Sequence, residues 1–544
     1  MNSLTQRVAA TAVAFVFLAR LGVAQTAPAK VPGPGTKPTL VVFITVDQMR
    51  GDYITRYASQ FKGGLKRLEQ HGALYTSAFH DHAITETAPG HATVMSGRFP
   101  VHTGIATNSA GVEDPKNPLI ASNDPGASPY RFQGTVLLDW MKANDKRTRS
   151  LSVSRKDRGA ILPMGTNKGD VYWYSTDGNF TTSKYYQNAL PKWVDDFNAR
   201  KLPASYAGWQ WKPLLPDTAY AEPDSVEQES QGKDYAFPHS MPTSPQAALK
   251  AVVGYPVMDD ITLKLALAGV DALQLGADAS RTDLLAISLS STDAVGHRWG
   301  PDSKELHDQI LHVDQYLGVF LDSLFAERDS TRIIIALTGD HGMSPFPNVQ
   351  SGTTPNQHAR VVDVAPAWRN AIQRMAALHI DTTQVAFAHG VFSVADTSSF
   401  VKAHVPVDSM ARALVRDLRL IPGVYRSDLL RDIAREDTVT NFIARRWLHQ
   451  FAPGGSVRAV TTLDRFDYWA DVKNATHGSP WNQDAWVPIV FWGKPFRTGR
   501  YDATVRTVDI APTLADVLKI KPALDNKIKE KLDGVVLTSG LKNP

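Results

Sequence analysis

The 544-residue chain contains no cysteine. That absence excludes disulfides, thiolate nucleophiles, Cys-ligated zinc and iron–sulfur clusters together, so a transition-metal site must be built from histidine and carboxylates. A dominant charge is missing too. The chain has 58 Lys and Arg against 54 Asp and Glu, a formal +4 with no long basic block, which speaks against a nucleic-acid partner. No apolar run is long enough to span a membrane comfortably, and neither an internal repeat nor a low-complexity tract occurs. The remaining composition, 43% hydrophobic and 21% charged, is that of a folded protein with a substantial core.

The amino terminus has the layout of a secretory signal peptide: Arg7, an apolar run over residues 8–19, then small residues near Ala24. Cleavage near Ala24 would remove residues 1–24 and leave a nearly neutral mature chain, periplasmic or secreted, with no stable transmembrane segment. Arg20 directly after the apolar run leaves an uncleaved anchor or a buried helix as the alternative. Residues 25–38 are rich in Pro and Gly and read as an extended lead-in.

Three β-branched runs, residues 39–50, 284–293 and 332–342, each end in acidic or imidazole side chains. Helical periodicities at 61–71, 133–143 and 304–325 separate them. Strand, polar tip, helix is the grammar of an α/β sheet whose ligands gather beyond the carboxyl ends of its strands. We read 39–381 as the first part of the main domain and 382–466 as a smaller α+β insertion. The chain returns to the main domain over 467–544.

The strand tips carry metal-ligand chemistry. Asp293 and His297 are four apart and can face the same way on the turn after their strand, with His477 arriving from a distant segment. Asp340 and His341 form a second pair that Asp47 can join. Oxygen and nitrogen donors in this ratio suit Zn²⁺ and not an all-oxygen magnesium site. Taken singly, DHG also reads as an Asp-capped turn and THG as a hydrogen-bonded loop. The segment ITETAPGHATVMSG reads as a loop entering a helix near Pro89, with Thr87 at the end where backbone N–H groups, that of Ala88 among them, can meet a phosphate. Thr87 is a nucleophile or a simple helix cap on this reading, with Thr85 as its competitor.

The ordered motifs VDQMR, TETAPGHATVMSG, HTGIATN, KDRGAILP, STDAVGH, TGDHGM and THGSP cover most of the mature chain. In them the sequence resembles the alkaline phosphatase superfamily, in its bacterial periplasmic phosphate-monoesterase branch related to nucleotide pyrophosphatase/phosphodiesterases. The resemblance implies an α/β fold with a mostly parallel central sheet flanked by helices. It implies Thr87 rather than Thr85 as nucleophile, because the partner Asn108 stands 21 residues on. It implies two Zn²⁺ ions, one held by Asp47, Asp340 and His341, the other by Asp293, His297 and His477, with Thr87 also a metal ligand. The activity implied is hydrolysis of small-molecule phosphate monoesters through a covalent phosphothreonine; the lack of a distinctive base-recognition motif points to a broad range, and the sequence leaves the oligomeric state open, a monomer included.

Lys156 and Arg158, two apart, would project together if their segment were extended, leaving Asp157 turned away. The resemblance makes this pair the monoesterase feature; without it, KDR reads as a solvated basic edge. A nucleotide pyrophosphatase/phosphodiesterase is the enzymatic alternative, and a noncatalytic phosphate-binding protein the alternative of another class. A Cys-derived formylglycine sulfatase is incompatible with the absence of cysteine.

Overall fold

Long runs of aliphatic and β-branched side chains, buried along their whole length, form the centre of a computed structural model that describes residues 37–347 and 359–542. The expected signal segment, residues 1–24, lies outside the described residues, as do all but the last two residues of 25–38. Ten strands make one sheet: β1 (Leu40–Val46), β2 (Ala73–Phe79), β3 (Ser150–Ser154), β4 (Asp170–Tyr174), β5 (Phe180–Thr181), β6 (Asp283–Leu289), β7 (Ile333–Thr338), β8 (Trp486–Trp492), β9 (Gly499–Tyr501) and β10 (Val505–Arg506). Their spatial order is β9-β2-β8-β7-β1-β6-β3-β4-β5, with β10 also paired to β2. The middle is parallel: β1 pairs with β6 and β7, and β3 with β6 and β4. The strand β8 runs antiparallel between β2 and β7, and β5 runs antiparallel at the edge.

Parallel strands with continuous apolar runs need cover on both faces. Alternate residues of β1 supply it: Val42 and Ile44 enter one apolar cluster, Val41 and Phe43 the other. The first cluster is roofed by the long helix Lys304–Glu327. The second includes Ala88, Ala92 and Met95 of α1 (Thr87–Ser96). Two shorter helices carry site residues, α2 (Asp157–Ile161) and α3 (Ser291–Trp299). This is the α/β class expected from the sequence.

Two local readings change. Asp293 and His297 lie on α3 rather than on a turn, so helical i,i+4 geometry aligns them. Lys156 is extended but Arg158 belongs to the first turn of α2, so the two do not project from one extended piece. Segments on both sides of residue 382 pack together. Helix Ala365–Ala377 sends Ala367, Ala371 and Met375 into the same apolar cluster as Phe392 and Leu414, and strand Val361–Val362 pairs with Tyr468–Trp469. The rest of the insertion is an antiparallel sheet of Val385–Ala388, Val391–Val394, Val457–Leu463 and Val424–Leu429, with helices Val407–Arg419 and Phe442–Gln450. No helix among the described residues is long and apolar enough to cross a membrane.

Helix α1 rests directly on the tip of β7. A Cβ on Gly90 would lie 2.2 Å from the Asp340 carbonyl oxygen and 2.8 Å from its Cβ. Gly90→Ala is therefore expected to destabilise the fold by about 1–3 kcal/mol through overpacking against backbone. Thermal unfolding checks this, and an unchanged midpoint would show that α1 can move away without strain.

Candidate active site

The tips of five neighbouring strands meet at one edge of the sheet. In-register pairing of Val46 with Leu289 and of Thr45 with Thr338 brings Asp47, the start of α3 and Asp340 to the same height. Lys156 follows the end of β3. His477 arrives because β8 runs antiparallel to β7, so the segment before β8 lies beside the end of β7. There the Ser344 N–H donates to the Thr476 carbonyl, and Asp484 accepts from both Ser344 Oγ and Ser479 N.

Each of three imidazoles is oriented through Nδ1 by a backbone carbonyl. His297 Nδ1 lies 2.7 Å from Ala475 O, His341 Nδ1 2.9 Å from Gly342 O, and His477 Nδ1 2.7 Å from Thr85 O. This sets the Nε2 atoms toward the carboxylates: His297 and His477 Nε2 lie 3.3 and 3.6 Å from Asp293 Oδ1, and His341 Nε2 lies 3.4 Å from Asp47 Oδ1. Backbone-oriented imidazoles of this kind are typical of metal ligands. Two donor groups are compact enough for an ion, Asp293/His297/His477 and Asp47/Asp293/His341. Asp340 stands at the border of the second, its Oδ2 3.7 Å from His341 Nε2. Asp47 Oδ1, Asp293 Oδ1, Asp340 Oδ2 and His341 Nε2 are buried and have no hydrogen-bond partner among the described residues. Buried, unpartnered and all of ligand type, these atoms fit a metal centre.

Burial alone would push the carboxylates toward their neutral form. The Lys156 ammonium, 2.6 Å from both Asp47 Oδ2 and Asp293 Oδ2, is the main counterweight and helps hold both well below the usual carboxylate range. Burial also opposes charge on the rings. At His341 the carboxylates of Asp340 and Asp47 overcome it and push the ring up to about 9, and at His297 Asp293 raises it. His477 is held well below the ordinary value by burial and by its neighbours His341 and His297.

Thr87 opens α1, and its Oγ1 accepts from Lys156 Nζ at 3.2 Å. Asn108 stands beside it. The Ala88 N–H, expected to face a phosphate oxygen, instead donates to Asn108 Oδ1 at 2.8 Å, which fixes the amide so that its NH₂ is left to donate. Thr85 takes another part: its hydroxyl donates to Ser479 O and its carbonyl orients His477. Arg158 is not brought into contact with Thr87. Its guanidinium lies 3.5 Å from Asp157, and its buried Nε has no hydrogen-bond partner among the described residues.

Sequence reading passed over several groups that organise the site. Glu86 Oε2 accepts from the Asn108 N–H at 2.6 Å. His91, one turn after Thr87, contacts Thr87 O, Asp340 Oδ2 and Ser288 Oγ at 2.9, 3.1 and 2.9 Å, tying α1 to β7 and β6. The i,i+4 step from Thr87 to His91 was the available signal. Gln450, in the insertion, is 1% exposed; it accepts from Ile84 N–H at 2.9 Å and donates to Ala106 O at 2.7 Å. One side chain thus braces the segments leading to Thr87 and to Asn108. Arg445 and Arg446 of the same helix pair with buried Asp81.

The sequence model of type I phosphodiesterase/nucleotide pyrophosphatase matches residues 41–406, from β1 past Asp293 and Asp340. The chain belongs to that family. It is 29% identical over 522 residues to alkaline phosphatase PhoV of Synechococcus elongatus, covering 92% of this chain and 93% of that one. It is 30% identical over 511 residues to alkaline phosphatase PafA of Elizabethkingia meningoseptica, covering 89% and 92%. The crystal structure of PafA superposes with a TM-score of 0.83 at 26% identity, over 93% of this chain and 99% of that one. Likeness to these phosphatases over nearly the whole length bears out the expected relationship and the expected phosphatase class of enzyme.

The bridge made by Gln450 predicts a role in positioning. Gln450→Ala should lower kcat by about ten- to a hundredfold, as small misplacements of reacting groups do. Inhibition by inorganic phosphate should weaken in parallel if Thr87 and Asn108 meet the phosphoryl group. Steady-state kinetics on folded variant checks this; unchanged kcat and phosphate inhibition would reduce the helix to packing.

Proposed function

We propose that the chain is a zinc-dependent phosphatase that hydrolyses phosphate monoesters to an alcohol and inorganic phosphate through a phosphothreonine at Thr87. The observation that carries this reading is the meeting of three groups: the Thr87 hydroxyl, a Lys156 ammonium in contact with it and with two carboxylates, and an Asn108 amide turned so that it donates. Two divalent cations, one held by Asp47, Asp340 and His341 and one by Asp293, His297 and His477, would supply the positive charge that makes a threonine hydroxyl a competent nucleophile near neutral pH.

The remaining roles fall to side chains. Thr87 Oγ1 forms the bond to phosphorus as the ester P–O bond breaks and the alcohol leaves. Water then attacks the phosphothreonine, releasing phosphate and restoring the hydroxyl. Donors from Asn108 and Lys156 stabilise charge on the phosphoryl oxygens, which is where electrostatic catalysis is most effective. Arg158, whose guanidinium lies 3.5 Å from Asp157, would add a second cation for the terminal oxygens of a monoester. The extra substituent of a diester would displace one of these contacts. Diester hydrolysis remains the second reading, favoured by the family match itself. The apolar run at residues 8–19, after Arg7, supports export to the periplasm or medium.

A matched comparison of kcat/KM for a monoester and a diester tests the reading. Thr87→Ala should cost at least about a thousandfold in kcat. The Lys156→Ala/Arg158→Ala double variant should lose about a hundredfold or more on the monoester and much less on the diester. Retained activity without Thr87 would remove the nucleophile from the account. An unchanged ester preference in the double variant would remove the basis for monoester selectivity.

A further inference from the structure

The site borders a cavity of about 780 Å³, far more than a phosphoryl group fills. Glu86, Asn108, His297 and His477 line its chemical end. The opposite wall comes from the insertion, where Trp368, Phe387 and Trp469 stand in succession, with ring centroids 5.9 and 6.4 Å apart. These rings are only partly buried, so apolar surface faces the cavity. The two walls meet where His389, two residues beyond Phe387, brings Nδ1 to 3.6 Å from Glu86 Oε1, beside Thr87.

The charge of the lining is one-sided. It contains Asp363, Asp464, Asp467 and Asp471 on the insertion side, and no Lys or Arg among the described residues. Arg360 pairs with Asp464 and Asp467 from outside the lining, but Asp363 and Asp471 have no cationic partner among the described residues. Flat rings reward a flat apolar ligand, and carboxylates repel a second anion.

Building on the monoesterase reading, we propose that this cavity is the leaving-group subsite and that it selects phosphate monoesters of ring-bearing alcohols, neutral or cationic, over monoesters carrying a second anionic group. The contacts are made by the part of the substrate that does not react, so they act equally on bound substrate and transition state. The preference therefore sits in KM, with kcat little changed.

The test uses the full-length, metal-replete enzyme with ethyl phosphate, benzyl phosphate, and benzyl phosphates bearing a para aminomethyl or a para carboxylate group. Benzyl and ethyl alcohol leave with similar ease, so their ratio isolates the ring. The wild type should prefer benzyl to ethyl phosphate by about tenfold in kcat/KM, through KM, with Phe387→Leu and Trp469→Leu each cutting that ratio by about threefold. The carboxylate ester should fall about tenfold below the aminomethyl ester, and Asp363→Asn/Asp471→Asn should close most of that gap. Because each readout is a ratio within one protein sample, partial loss of folded variant does not affect it. Turnover of all four esters without ring or charge preference overturns the subsite alone. Failure to turn over any monoester overturns the monoesterase reading and the subsite with it.

Discussion

Concentrated negative charge in a dry place is the constraint around which this molecule is arranged. Asp47, Asp293 and Asp340 converge at the carboxyl edge of the sheet, buried, with several oxygens that accept no hydrogen bond among the described residues. Taking even one carboxylate out of water costs several kcal/mol unless positive charge meets it. Lys156 meets two of the three, and imidazole Nε2 atoms face all three. A cluster with such an appetite for cations is poorly explained as a packing device and well explained as the seat of metal ions. Positive charge held there would also make a neighbouring hydroxyl reactive toward an anionic phosphoryl group.

The rest of the fold holds that cluster together. The parallel register of β1, β6 and β7 sets the three carboxylates level, and the one antiparallel central strand, β8, lets His477 return to the same edge from far along the chain. Helix α1 is pinned to the β7 tip by the absence of a side chain at Gly90 and by the contacts of His91. The insertion is part of this scaffold. Its helix Phe442–Gln450 closes over the segments that carry Thr87 and Asn108, and its hairpin turn at His389 reaches Glu86.

Much of this was legible in the sequence because the physics involved is local. Continuous apolar runs announced β1, β6 and β7, and the polar residues directly after them had nowhere to go but the sheet edge. Other features depend on tertiary contact. Nothing in KDR shows that the chain turns helical at Asp157, separating Lys156 from Arg158. Helix Ala365–Ala377 falls in the stretch read as main domain, and nothing in its sequence shows that its small apolar face packs with Phe392 and Leu414. Glu86, Asn108 and Gln450 act largely through backbone N–H and C=O groups, which leave no residue-type signature in their partners. Thr85, legible only as a rival nucleophile, serves as a backbone support for His477.

The most direct measurement is X-ray scattering at the zinc absorption edge from crystals of the natively purified protein. Two anomalous peaks are predicted, one bounded by Asp47, Asp340 and His341 and the other by Asp293, His297 and His477. Their absence from protein that still hydrolyses phosphate esters would contradict the account, because the buried carboxylates would then have to be neutralised, and Thr87 activated, by side chains alone.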